Sequence, residues 1–352
     1  MTEELDQDSE PIEAITGTLY GIAMDAIKDY IEIYLPLASE THGFSAVESR
    51  HAATFAQRMI ILGGINSPLD PSTSTPAQVV AEWERMRAIP FDVENGVTKG
   101  VYVQLRSRSE NLLDELEQVS NGFMEFPPEY IVSNPHMLPI LQRLANISSK
   151  AELKRKIGSV SDNAVSPKAA IKLSALLNER QPGRAINRAQ LLQSVEPTLE
   201  GIVRDLVGRV LLESVVAKAL DDASVAYKRE SEYKSIAGVI YDFRADFVIP
   251  DDENPLAFIE VRKSSSRHAS LYAKDKMFSA INWKGKNRKM LAVLVVEGPW
   301  TVETLRVMAR VFDYVVPLSA STEVAQSIAA YIQGDNSKLR WLIDFSINPA
   351  GQ

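Results

Sequence analysis

The chain of 352 residues contains no cysteine. That excludes a disulfide framework, an iron–sulfur cluster, a thiolate zinc site and a cysteine nucleophile. Histidine is scarce: His42, His51, His136 and His268 are scattered without paired-ligand spacing, so a His-rich metal site is not expected. The longest apolar run, Met290 to Val296, is far short of the roughly 20 residues that span a bilayer. Positions 1–14 carry Glu3, Glu4, Asp6, Asp8, Glu10 and Glu13 with no basic residue. This is the reverse of a signal peptide and leads to the expectation of a cytoplasmic protein without a membrane partner. Neither G-x-x-x-x-G-K-[ST] nor G-x-G-x-x-G occurs, so no nucleotide cofactor is expected. A G-x-S-x-G elbow is missing too. Ser231-Glu-Tyr-Lys234 matches S-x-x-K but stands in a predicted strand without its companion motifs.

What is present is average for a globular protein: 45% hydrophobic and 24% charged residues. That length suggests two domains. The charge is unevenly placed. Against a net −8 for the whole chain, residues 262–289 carry nine Lys/Arg opposed only by Asp275, and residues 143–188 carry ten opposed by Glu152, Asp162 and Glu179. Either run alone reads as a solvated face, but two together favour a polyanionic partner.

Three segments are expected: an acidic disordered tail over 1–14, a mostly helical domain over 15–196, and an α/β (mixed α+β) domain over 197–352. Helical spacing marks 15–62. Thr75 and Pro76 have the N-cap and first-turn chemistry of a helix through Trp83. Val101 to Leu105 reads as a strand, and Leu112 to Val119 as a helix. Residues 168–192 have the spacing of a helix-turn-helix, or equally of an ordinary helical hairpin; Arg184 and Arg188 there are candidate DNA contacts. Beyond Pro197 a long helix is followed by strands over Val225–Tyr233, Ile240–Ile249 and Leu256–Lys263. A helix over 266–282, a strand over 290–296, a helix over 302–312, a strand over 314–318 and a helix over 322–332 complete the chain. The order α-β-β-β-α-β-α-β describes a mixed sheet flanked by helices, its last strands parallel. Tyr272, Phe278 and Trp283 are spaced for core packing.

Alternation puts Asp242, Arg244 and Asp246 on one strand face, and Glu260 and Arg262 on one face of the next strand. An antiparallel hairpin then sets Asp246 beside Glu260. Two converging carboxylates need a hard cation, and oxygen ligands suit Mg²⁺. Asp246, with Glu260-Val-Arg262-Lys263 and the basic helix that follows, resembles the catalytic hairpin of the PD-(D/E)xK nuclease superfamily, and within it the type II restriction endonucleases. The resemblance covers about residues 197–318. It implies a restriction-endonuclease-like fold with Asp246 and Glu260 as metal ligands, two Mg²⁺ per active site, double-stranded DNA as substrate and a homodimer. Glu213, in the apolar setting Val-Leu-Leu-Glu-Ser-Val-Val, is a candidate third carboxylate, or a charge paired with a Lys or Arg. One departure stands out: the motif lysine is replaced by Arg262, which stays protonated and cannot take a proton from water. The cationic role is left to Arg262, to Lys263 if a bulge re-aims it, or to Lys274 or Lys276 from the helix. Arg267, His268, Lys274, Lys284, Lys286, Arg288 and Lys289 are expected on phosphates, and Ser264-Ser-Ser266 at the helix start. The alternatives are a non-cleaving DNA-binding module of the same fold, a DNA repair or junction nuclease, and a helical interaction protein.

Overall fold

The computed structural model describes residues 17–179, 187–264, 269–339 and 342–343. In chain order the helices are α1 (Leu19–Glu40), α2 (Phe55–Gly64), α3 (Pro76–Met86), α4 (Val93–Val119), α5 (Pro128–Ser133), α6 (Leu138–Leu144), α7 (Lys150–Ile157), α8 (Pro167–Asn178), α9 (Arg188–Asp222), α10 (Ala269–Lys286), α11 (Val302–Met308) and α12 (Ser321–Ile332). The strands are β1 (Val160–Ser161), β2 (Ala164–Val165), β3 (Lys228–Arg229), β4 (Phe247–Ile249), β5 (Ala257–Lys263), β6 (Leu291–Glu297) and β7 (Tyr314–Pro317). The fold is mixed α+β, as the alternation of patterns requires. No helix among the described residues is long and apolar enough to cross a membrane.

The chain forms two compact units that interleave in sequence: residues up to 28 with 98–207, and 29–97 with residues from 208 onward. The boundary expected at 197 falls inside α9, which runs through Pro197. A proline removes a single ladder hydrogen bond, while Leu191, Val195, Leu199 and Val203 keep one helical stripe buried on both sides of it. The first unit is helical apart from the antiparallel β1–β2 pair. The strand expected over Val101–Leu105 is instead part of α4. Val97, Val101 and Leu105 are fully buried whereas Val103 is 42% exposed, so the three-and-four spacing overrides the short alternation. Thr75 does cap α3, its hydroxyl accepting from the Gln78 N–H with Pro76 in the first turn.

The second unit holds a five-stranded sheet in the order β3-β4-β5-β6-β7. Its first two pairings are antiparallel and its last two parallel, joined through α10 and α11. The core behind β5 and β6 gathers Phe258, Ala280, Trp283, Leu294 and Phe312, with Phe258 packed edge-on against Trp283 at 4.8 Å between centroids. Phe278, expected in this core, is 49% exposed and stacks on Tyr241; the side chain of Tyr272 lies outside what is described. The two strands expected upstream shrink to β3 and β4. Between them strand pairing is reduced to the single antiparallel bridge Ile236↔Phe243, and the buried Asn282 side chain serves the neighbouring backbone, accepting from the Ile240 N–H at 2.7 Å and donating to the Tyr241 carbonyl at 2.8 Å. The chain there is therefore mostly looped, and Phe243 is 49% exposed.

Candidate active site

The β4–β5 register pairs Phe247 with Ile259 and Ile249 with Ala257. One step further along this antiparallel ladder, Asp246 stands opposite Glu260, the hairpin juxtaposition expected from alternation. Two contacts secure that step. The Glu230 N–H donates to the Asp246 carbonyl, and the buried Tyr233 hydroxyl donates to the Ala245 carbonyl at 2.7 Å while accepting from its N–H at 2.6 Å. Tyr233 was not singled out from sequence, where it is one aromatic among many.

Both carboxylates are buried, Glu260 completely, and they share one cation. The Arg262 guanidinium reaches Asp246 Oδ2 through Nη1 at 2.7 Å and Glu260 Oε2 through Nη2 at 2.6 Å. Asp246 also accepts the Val261 N–H at 2.6 Å. A second cation comes from α10: Lys276 Nζ lies 3.0 Å from Glu260 Oε2 and 3.2 Å from Oε1. Lys276 shares the inward stripe of α10 with Ala280 and Trp283, all buried, so the helical period that builds the core also aims this lysine at β5.

Burial and the Asp246 charge push the Glu260 carboxyl up to about 8, against the pull of Arg262 and Lys276. Glu213, half-buried on α9 between the apolar Leu211 and Val215, is pushed up to about 7 by burial first and by the charge of Asp246 second. Burial works against the charge on Arg262, but Glu260 and Asp246 outweigh it and hold its pKa above the ordinary value. The site thus gathers two carboxylates and two cations, with Glu213 near enough to feel the charges of Asp246 and Arg262.

The other expected residues separate into groups. Arg262 is drawn onto the carboxylates rather than outward to a phosphate. Lys263 lies on the opposite face and pairs with Glu94. The β5–β6 ladder runs unbroken from Ala257↔Leu291 to Lys263↔Glu297, so no bulge re-aims it. Lys274, Lys286, Arg288 and Lys289 are exposed and form a basic surface. Lys284 is not part of it: fully buried, it pairs with Asp313, which also accepts from the Ala292 N–H. Arg188 is engaged by Asp114 and Glu117 and by the Glu110 carbonyl, so its expected DNA contact gives way to ion pairing within the helical unit. Arg184, Arg267 and His268 lie outside the described residues, as do Ser265 and Ser266. Ser264 donates to the Pro299 carbonyl at 2.8 Å instead of capping α10.

Among the described residues no group of three or more His, Asp or Glu is assembled as a metal centre. Asp246 and Glu260 nevertheless fit a divalent cation. They already hold one cation in common, the Arg262 guanidinium, and their donors are all carboxylate oxygens, the type that Mg²⁺ takes. The chain matches no protein-family profile, no curated protein and no solved structure.

Proposed function

We propose that this chain is a Mg²⁺-dependent endonuclease of the restriction type, hydrolysing phosphodiester bonds of double-stranded DNA. The reading is carried by one observation: Asp246 and Glu260, from neighbouring antiparallel strands, share a cation beside Lys276 from the following helix. The α-β-β-β-α-β order around them supports it. Asp246 and Glu260 would hold the metal, with Glu213 as a third carboxylate at its edge. Bound there, Mg²⁺ would supply a water of lowered pKa and positive charge against the phosphate.

The residues of the chain do the rest. Lys276 takes over the role of the motif lysine: its ammonium, oriented by Glu260, stabilises the charge that grows on the phosphate oxygens. Arg262 is held in reserve on the carboxylates and is suited to the phosphate once released, since it stays protonated and presents a forked donor set. Lys274, Lys286, Arg288 and Lys289 contact the DNA backbone without regard to sequence. A two-fold homodimer would match a palindromic site.

A second reading has its own support. With Arg262 neutralising the carboxylate pair, the same fold would bind DNA without cutting it. Incubation of duplex DNA with Mg²⁺ separates the two. The endonuclease yields fragments that Asp246→Ala abolishes, whereas the binding module yields a salt-sensitive gel shift with or without Mg²⁺ and no product.

A further inference from the structure

A cavity opens within the sheet-bearing unit, at the C-terminal ends of β6 and β7, where open α/β sheets characteristically bind ligands. It measures about 580 Å³, within the roughly 300–1,000 Å³ of small-molecule sites. Its walls are largely rings: Phe44 and Phe91, stacked on each other at 3.7 Å, with Tyr34 and Trp300. Tyr34, which lines the cavity, is 2% exposed and carries a hydroxyl. Burial and the Glu297 charge hold that hydroxyl protonated, so it stands as a fixed donor. Glu297 lines the same cavity. Its carboxyl is pushed up to about 7 by burial and by Asp92, which lets it accept a hydrogen bond or give one near neutrality. The exposed Arg306 completes the lining.

We propose that this cavity is a nucleotide site, taking the base against the aromatic walls with Tyr34 and Glu297 on its polar edge and the phosphate on Arg306. The three chemistries present are a flat apolar slot, an edge-reading hydroxyl and carboxyl, and a guanidinium at the surface. A nucleotide combines all of their complements: a π-face, a hydrogen-bonding edge and a phosphate. Glu260 pairs with Leu294 and Glu297 follows three residues later on β6, so alternation places the two carboxylates on opposite faces of the sheet, and the cavity is separate from the carboxylate pair. The base comes either from a free nucleotide or from a DNA strand that reaches this end of the sheet. Only the DNA source rests on the endonuclease reading.

Saturation-transfer NMR on the full-length protein tests the site with the four deoxynucleoside 5′-monophosphates, and with deoxyribose 5-phosphate as a base-less control. The expected result is transfer to base protons of at least one nucleotide and none to the control. Tyr34→Phe and Arg306→Ala should each weaken binding about fivefold or more, and Ala309→Trp, which fills the cavity from the end of α11, should abolish it. Asp246→Ala should leave nucleotide binding intact, which separates this site from the metal site. Displacement of the bound nucleotide by duplex DNA identifies an extruded base as the occupant; persistence in the presence of DNA identifies a free nucleotide. Absence of transfer from all four nucleotides, equal binding of the base-less control, or indifference to Ala309→Trp in a protein that melts normally overturns the proposal.

Discussion

Replacing Arg262 by methionine keeps much of the side-chain volume and removes the guanidinium that bridges Asp246 and Glu260. Two charge-assisted hydrogen bonds of 2.7 and 2.6 Å disappear, each worth about 1.5–3 kcal/mol. Their environment is poorly screened, since the side chains of Arg262, Asp246 and Glu260 are 24%, 7% and 0% exposed. Stripping one partner from such a buried arrangement removes about 3–5 kcal/mol. Glu260 keeps Lys276 and Asp246 keeps the Val261 N–H, so the loss belongs at the lower end, about 3 kcal/mol. The same contacts must open before a divalent cation enters. The variant should therefore bind Mg²⁺ up to about 100-fold more tightly, at 1.4 kcal/mol per tenfold. Calorimetric Mg²⁺ titration and urea unfolding with and without Mg²⁺ read both effects. The variant should be weaker alone and should recover more than the native chain when Mg²⁺ is added. Equal Mg²⁺ affinities in the two proteins, or a stability loss below about 1 kcal/mol, the size of one ordinary hydrogen bond, would refute the reasoning.

Other perturbations address separate parts of the molecule. Glu213 and Glu260 have folded pKa values raised to about 7 and about 8, so the folded state holds more protons than the unfolded one above pH 4.5. Stability should accordingly be greatest at the acid end of that window and fall as pH rises toward 8. Glu213→Gln should recover about 1–2 kcal/mol at pH 8, a deliberately discounted share of 1.36 kcal/mol per pKa unit for a half-buried group, and change little at pH 4; denaturant titrations at the two pH values check it. Lys284→Met removes the cation from fully buried Asp313, which keeps the Ala292 and Ile343 N–H groups, and should lower stability by about 3 kcal/mol while leaving Mg²⁺ affinity unchanged, as urea unfolding and calorimetry will show. Neutralising Lys286, Arg288 and Lys289 together should reduce the slope of log affinity against log salt by about 2–3, at roughly 0.9 per phosphate contact; anisotropy with labelled duplex DNA measures it, and an unchanged slope removes these residues from the interface.

The second half of the fold is readable from sequence because its signals agree with each other. The apolar run of β6, the helical stripe of α10 and the alternation in β5 each point to one element, and the antiparallel register that follows from them sets Asp246 beside Glu260. What escaped reading is what depends on partners distant in the chain. Lys284 sits in a basic run and looks like its neighbours, yet Asp313, 29 residues on, draws it into the core. Lys276 and Lys274 are alike until the face of α10 that meets the sheet is known; Lys276 is inside and Lys274 exposed. Arg262 has equal chemical affinity for a phosphate and for a carboxylate, so its identity alone cannot say which it holds. The strands shortened upstream of β4 fail for a different reason: one side chain, Asn282, satisfies backbone groups that alternation assigns to a ladder.

The most direct test is cleavage of unmethylated phage DNA in Mg²⁺ by the native chain, Asp246→Ala and Lys276→Met. The account predicts discrete fragments from the native protein and none from Asp246→Ala. Lys276→Met should cut at least about 100-fold more slowly, the scale of losing one transition-state contact, with Mg²⁺ binding retained. Undiminished cleavage by Asp246→Ala, or no cleavage by the native chain under any divalent cation, would contradict it.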